Sequence, residues 1–290
     1  MTEFVIIVNF SGQTDRRISG YAYKTMKFLY RYYGNIDYAL DVIQNRRIYF
    51  SLQSEFNDPY DCLPKFSLLA CKNDGIETWT EFLKMIVLND NPDIEVDELY
   101  GKIKNTLSGQ NHPSISWLKD YEAERSIMLS HMLSGIRICC FSKSPRNQML
   151  WAHYAKNHSG VVFQFRLKFM ADGNTGESKY FPVNYYENPI SLRQYIQIFK
   201  AGQNNPLEYA TFQYCSKSQE WSGEDEVRFF SNNEYVPFEE KMLTGIIFGS
   251  KTPKNVINNC KEIIVRWKIK PKLFIESDVQ ASHKQIFKKI

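Results

Sequence analysis

Two hydrophobic rhythms alternate along this chain, and together they exclude most simple architectures. Between residues 75 and 135 apolar positions recur at helical spacing: Phe82, Met85 and Ile86, then Leu99, Ile103 and Leu107, then Trp117, Tyr121, Ile127 and Met128. On either side they come instead as short β-branched and aromatic runs, at 4–8, 26–33, 48–50, 136–141, 161–165, 181–186, 227–230 and 246–248. Intervals of three and four build the apolar stripe of a helix, and short runs bounded by turn residues build strands. Further helices are expected at 36–44, 149–156, 192–200, 206–216 and 253–267. The strands arrive singly or in pairs between helices of uneven length, with no βαβ repetition. The expected fold class is therefore α+β, a mixed and mainly antiparallel sheet in one domain over 1–290, with 75–135 as a helical insertion or lid.

The chain has 290 residues, enough to bury roughly 70–75% of its extended surface without a disulfide or metal staple. Its 18 Tyr and 20 Phe exclude wholesale disorder. No apolar run approaches the ~18 residues of a membrane span. The run Phe4-Val5-Ile6-Ile7-Val8 is too short for a signal core and follows Glu3, so it reads as a first strand and residues 9–20 as a loop. The expected location is cytoplasmic, with no membrane partner. Six cysteines show no Cys-x-x-Cys spacing, and Cys139 and Cys140 adjoin in a strand, so they point to opposite faces. Reduced, mostly buried thiols are expected. A net charge of +4, from 36 basic and 32 acidic residues, is no nucleic-acid footprint by itself. Lys284, Lys288 and Lys289 form a basic tail.

Several chemistries lack their sequence requirements. His153 and His158 are five apart, not the four that puts two imidazoles on one helix face, and no third ligand stands at a metal-site spacing. There is no Gly-x-Ser-x-Gly elbow for a hydrolase. Neither phosphate loop, Gly-x-x-x-x-Gly-Lys-Ser/Thr or Gly-x-Gly-x-x-Gly, occurs, which argues against kinases, ATPases and Rossmann dehydrogenases.

Three segments carry unusual local chemistry. Leu29-Tyr30-Arg31-Tyr32 sets a cation in an aromatic strand, with Tyr30 and Tyr32 on one face and Arg31 on the other. If Arg31 faces inward it needs an anionic or hydrogen-bonding partner, and a ligand phosphate or a snorkelling position would each satisfy it. Glu224-Asp225-Glu226-Val227-Arg228 places three acids before an apolar strand; alternation would point Glu224 and Glu226 the same way, with Arg228 as a local partner. Two carboxylates on one face repel, which equips a site for base work or charge stabilisation. Ser142 and Ser144 lie where a strand ends, ahead of Leu150-Trp151-Ala152-His153-Tyr154-Ala155 and Asn157-His158-Ser159-Gly160.

In order, Leu29-Tyr30-Arg31-Tyr32, Ile48-Tyr49-Phe50-Ser51, Phe56-Asn57-Asp58-Pro59-Tyr60-Asp61, Cys140-Phe141-Ser142, the Trp-Ala-His-Tyr-Ala run, Asn157-His158-Ser159-Gly160, Pro182-Val183-Asn184-Tyr185, Trp221 and Glu224-x-Glu226-x-Arg228 resemble the bacterial domain-of-unknown-function 2971 family. That family name supplies no function. Arg31, Ser142 and Glu224-x-Glu226-Val227 are also similar to the Arg-Ser-Glu signature of ADP-ribosyltransferases, whose split sheet is the fold implied. This chain has Phe-Ser-Lys-Ser where that superfamily has Ser-Thr-Ser, and the Trp-Ala-His-Tyr-Ala run has no counterpart there.

The second resemblance implies NAD as substrate. Arg31 would hold its phosphates and Ser142 would support the nicotinamide ribose, with Tyr30, Ser51, Trp151, His153 and Tyr154 completing the cofactor-binding set. Glu226 would stabilise the oxocarbenium-like charge, and Glu224 would orient a macromolecular acceptor, protein or nucleic acid, or a water. A toxin or phage-defence effector would use such chemistry. Two other readings stand beside it. One is a metal-independent nucleic-acid-processing effector with His153 and His158 as general acid and base. The other is a non-catalytic ligand-binding sensor, in which Glu224 and Glu226 pair with Arg228 or Arg166. The transferase reading requires Arg31, Ser142 and Glu226 to meet in one cleft.

Overall fold

Register and strand alternation decide which of these residues share a face. The computed structural model describes residues 27–58, 60–62, 66–133, 135–166, 180–187, 190–204, 211–277 and 285–290. The strand expected at 4–8, the loop at 9–20, Pro59, Lys284 and part of the helix expected at 206–216 lie outside them. The described residues divide into two compact units, one within 58–135 and 184–220, the other within 27–57, 136–183 and 221–290.

The first unit carries the helical block. Helices α2 (Ile76–Asp90), α3 (Val96–Leu107) and α4 (Ile115–Leu133) follow the expected spacing, and α6 (Leu192–Asn204) shares their core. Trp79, Phe82, Leu99, Ile103, Leu118, Tyr195 and Ile196 are buried together there. Two short strands, β6 (Asn184–Tyr186) and β7 (Ser216–Ser218), pair in parallel. Lys217 is buried against Asp61 at 3.1 Å.

The second unit is built on an eight-stranded sheet, in the order β12-β11-β10-β4-β1-β3-β8-β5. Its members are β1 (Phe28–Tyr33), β3 (Arg137–Ser142), β4 (Val161–Arg166), β5 (Tyr180–Pro182), β8 (Glu226–Ser231), β10 (Leu243–Phe248), β11 (Lys272–Ser277) and β12 (Ile286–Lys289). All neighbours are antiparallel except β10 and β11, which are joined through α7 (Lys254–Ile264). The fold is α+β with a mixed, mostly antiparallel sheet, as the two rhythms predict. A separate pair, β2 (Arg47–Tyr49) and β9 (Tyr235–Pro237), lies antiparallel.

Helix α1 (Ile36–Asn45) starts where Asn35 caps the amides of Asp37 and Tyr38 at 2.9 and 3.4 Å, and it ends at Arg46 in the left-handed region. Asn35 thus supplies an acceptor to two amides that have no partner within the helix. Ala39, Val42 and Ile43 of α1, with Val256, Ile257, Cys260 and Ile264 of α7, bury against Leu29, Tyr33, Cys139, Phe141, Phe163, Val227 and Phe229. Each fully buried large side chain contributes roughly 1.5–3 kcal/mol. The other face carries a smaller cluster of Trp151, Ala155, Val162 and Ile247, against which Tyr30 and Tyr32 pack. Trp151 belongs to α5 (Gln148–His153).

Three expectations change. The strand expected at 181–186 is two strands, because the Val183 amide donates to the Glu226 carbonyl while the next amide, of Asn184, donates to the Cys215 carbonyl. The basic tail is a strand from Ile286 to Lys289, paired with β11. The helix expected to reach 156 stops at His153, and Lys156, Asn157 and His158 all have positive φ, 48°, 51° and 67°.

Candidate functional site

Directly opposed residues of paired strands share a face. Tyr30 on β1 stands opposite Gln164 on β4 and opposite Ser142 on β3, and Ser142 stands opposite Glu226 on β8. Gln164, Tyr30, Ser142 and Glu226 therefore form one row across four strands. Gln164 and Tyr30 are half-buried, and Ser142 and Glu226 are buried. Two residues along β8, Arg228 returns to the same face and closes on Glu226 through both carboxylate oxygens, Nε to Oε1 and Nη2 to Oε2, each at 3.0 Å. The guanidinium is fully buried.

Glu224 reaches this row by another route than strand alternation. It ends a 3₁₀ turn over Gln219–Glu224, and Asp225 has φ +46°, so β8 begins only at Glu226. Its buried carboxylate accepts from the Tyr154 hydroxyl at 2.9 Å, and its carbonyl accepts from the Ser142 hydroxyl at 3.0 Å. Asn147 Nδ2 donates to the Gly223 carbonyl, and Lys143 pairs with Asp225 at 2.5 Å. Four residues on or beside the chain from β3 to α5 thus hold this acidic turn beside the row.

Arg31 is on the other side of the sheet. It stands opposite Phe163, between Leu29 and Tyr33, whose side chains join the core under α1 and α7. Its guanidinium bonds the Cys139 thiol and lies over the rings of Tyr33 and Phe141 at 5.4 and 5.9 Å. Burial pushes the Cys139 thiol up to about 12, against the opposing pull of Arg31. The convergence of Arg31 with Ser142 and Glu226 expected from the Arg-Ser-Glu resemblance is not found. The physical reason is that Tyr30 joins the row, and its neighbour in a strand must point the opposite way.

The remaining residues divide. Trp151 packs on the row's face, edge-on to Tyr32 at 5.6 Å, and its indole N–H donates to the Pro145 carbonyl at 2.8 Å. Tyr154 reaches the row through Glu224. Ser51 bridges Ile138, four residues along β3 from Ser142, so it lies roughly 13 Å away along the strand. His153 is exposed and makes no hydrogen bond or ion pair among the described residues. His158 bonds Glu276 instead, with Nδ1 2.8 Å from Oε2. No group of three or more His, Cys, Asp or Glu suited to a metal ion occurs among the described residues. Nor is any described helix long and apolar enough to cross a membrane.

Gln164, Arg146 and Glu276 are not in the expected set. Gln164 interrupts Val161-Val162-Phe163-Gln164-Phe165 at one polar position, the only signal of it in the sequence. Glu276 is 118 residues from its histidine partner, beyond any local pattern.

No curated protein and no solved structure matches the chain. Residues 150–229, which include most of α5, β4, the Glu224 turn and most of β8, match the model of the family described as "Protein of unknown function (DUF2971)", and this bears out the first of the two sequence resemblances over that part of the chain.

Proposed function

We propose that this chain is a ligand-binding module, and that the sheet face carrying Gln164, Tyr30, Ser142 and Glu226 takes a small hydroxyl-bearing molecule, with NAD or another ribosyl compound as the ligand class to test first. The observation that carries this reading is the four-strand row itself. It sets an amide, two hydroxyls and a carboxylate side by side, from half-exposed Tyr30 inward to buried Glu226. Amides and hydroxyls both donate and accept, so such a row suits vicinal hydroxyls better than it suits an apolar ligand.

Binding is favoured over transfer by what surrounds Glu226. A carboxylate that stabilises a developing positive charge acts through its own negative charge, and here that charge is already countered by Arg228, bonded to both oxygens; the remaining lone pairs can still accept from a ligand hydroxyl. The Arg-Ser-Glu scheme also needs the arginine of the first core strand on this face, and Arg31 lies on the other. One observation favours an ADP-ribosyltransferase-like or NAD-hydrolysing activity as the second reading: Ser142 and Glu226 are direct cross-strand partners, with Glu224 on the turn just before.

Calorimetry with NAD, run beside an assay for released nicotinamide, separates the two. The binding reading predicts a saturable complex and no nicotinamide. Release that disappears in Glu226→Gln and persists in Arg31→Met would overturn it in favour of the transferase.

A further inference from the structure

We infer that the ligand of this face carries a phosphate, and that Arg146 is the residue that holds it. This rests on the proposed binding face and specifies its chemistry.

The loop from Lys143 to Asn147 is fixed against that face at both ends. The Tyr32 hydroxyl donates to the Ser144 carbonyl at 2.8 Å and accepts from the Asn147 amide at 3.4 Å, one bond on each side of Arg146. The Trp151 indole holds the Pro145 carbonyl, directly before it. Ser142 Oγ accepts from the Ser144 amide at 3.3 Å, and Ser144 Oγ accepts from the Arg146 amide at 3.1 Å. The backbone at Arg146 is thus set, while its side chain is exposed.

The other cations of this region are committed. Lys143 is paired with Asp225, Arg228 with Glu226, and Arg31 is on the opposite face. The Arg146 guanidinium makes no hydrogen bond or ion pair among the described residues. Its charge is nonetheless felt within the row: burial raises the Tyr30 hydroxyl above its usual value, and Arg146 works against that rise.

A planar guanidinium on a braced loop is suited to a phosphate, which it grips through two parallel N–H bonds. Beside a row of hydroxyl readers, that chemistry describes a phosphorylated ribosyl compound. The phosphate group itself could come from a nucleotide or from free phosphate, and the probes tell the two apart.

The test is calorimetry on the full chain with ADP-ribose, adenosine and inorganic phosphate, for the unaltered protein, Arg146→Gln, Arg146→Lys and Tyr30→Phe. Arg146 is exposed, so its variants should fold normally, and matched melting temperatures would verify this. The expected result is a loss of about ten- to hundredfold in ADP-ribose affinity in Arg146→Gln, partial recovery in Arg146→Lys, and unchanged adenosine binding. Tyr30→Phe should weaken both nucleoside ligands. Phosphate bound as tightly as ADP-ribose would overturn the nucleotide assignment. Equal ADP-ribose affinity in Arg146→Gln, with loss in Tyr30→Phe, would overturn the Arg146 assignment and leave the binding face standing. No binding of any probe by the unaltered protein would overturn both.

Discussion

His158 Nδ1 lies 2.8 Å from Glu276 Oε2, and this bond joins the turn after α5 to the end of β11. The imidazole also stacks on Trp151, centroids 5.6 Å apart and nearly parallel. Glu276 accepts in addition from the Ser250 amide at 3.0 Å and from Gln285 Nε2 at 2.8 Å. The three consecutive left-handed residues, Lys156 to His158, are what deliver the ring to this place. A Cβ on Gly249 would strike the His158 carbonyl, so the turn also depends on a glycine there.

The first prediction concerns this lock. His158→Ala should lower stability by about 1.5–3 kcal/mol, the usual worth of a hydrogen bond to a charged group, in urea denaturation. His153→Ala, at an exposed position, should stay within about 0.5 kcal/mol. Equal effects of the two would mean that the His158–Glu276 bond does not lock the turn.

The Glu226–Arg228 pair gives a second prediction. Breaking a buried pair leaves an uncompensated charge, so Arg228→Met alone should cost about 3–5 kcal/mol. Glu226→Gln with Arg228→Met should recover a large part of that. A thermodynamic cycle over the four proteins measures the coupling, and strict additivity would contradict a mutual pair.

Alkaline stability supplies a third. Cys260 is buried in α7 against the core, and burial pushes its thiol up to about 12 from an ordinary value of 9. The unfolded chain loses this proton first. The contribution to stability is therefore fully present below pH 9 and is lost as pH rises from there toward 12. Each pH unit in that window should remove about 1.4 kcal/mol for this group. Urea midpoints from pH 8 to 10.5 should fall less steeply in Cys260→Ala than in the unaltered protein. Parallel curves would count against the thiol's role.

Much of the fold could be read from spacing, and the site only in part. The helical stripes at 76–90, 96–107 and 115–133 and the strand at 161–166 are visible because each repeats one local rhythm. Alternation in β1 also separates Tyr30 and Tyr32 from Arg31. It does not say which face receives helices, since that depends on β1 pairing with β3 and β4, more than 100 residues away in sequence. Sequence alone therefore places Arg31 in a cleft with Ser142 and Glu226, which lie on the opposite face of the sheet. Glu224 and Glu226 do end up on one site, but the left-handed Asp225 turn brings them there, and two acids flanking an acid give no local sign of it. The split between β5 and β6 is hidden for a similar reason: Pro182 and Asn184 weaken the run from Phe181 to Tyr186 without marking where it divides, and distant partners, Glu226 and Cys215, break it at Val183.

The proposed ligand face is that of Tyr30, Ser142 and Glu226 and not that of Arg31. Its most direct test is the rise in melting temperature caused by NAD in the unaltered protein, Tyr30→Phe and Arg31→Met. The expected rise is reduced in Tyr30→Phe and retained in Arg31→Met. A rise abolished by Arg31→Met and untouched by Tyr30→Phe would contradict it.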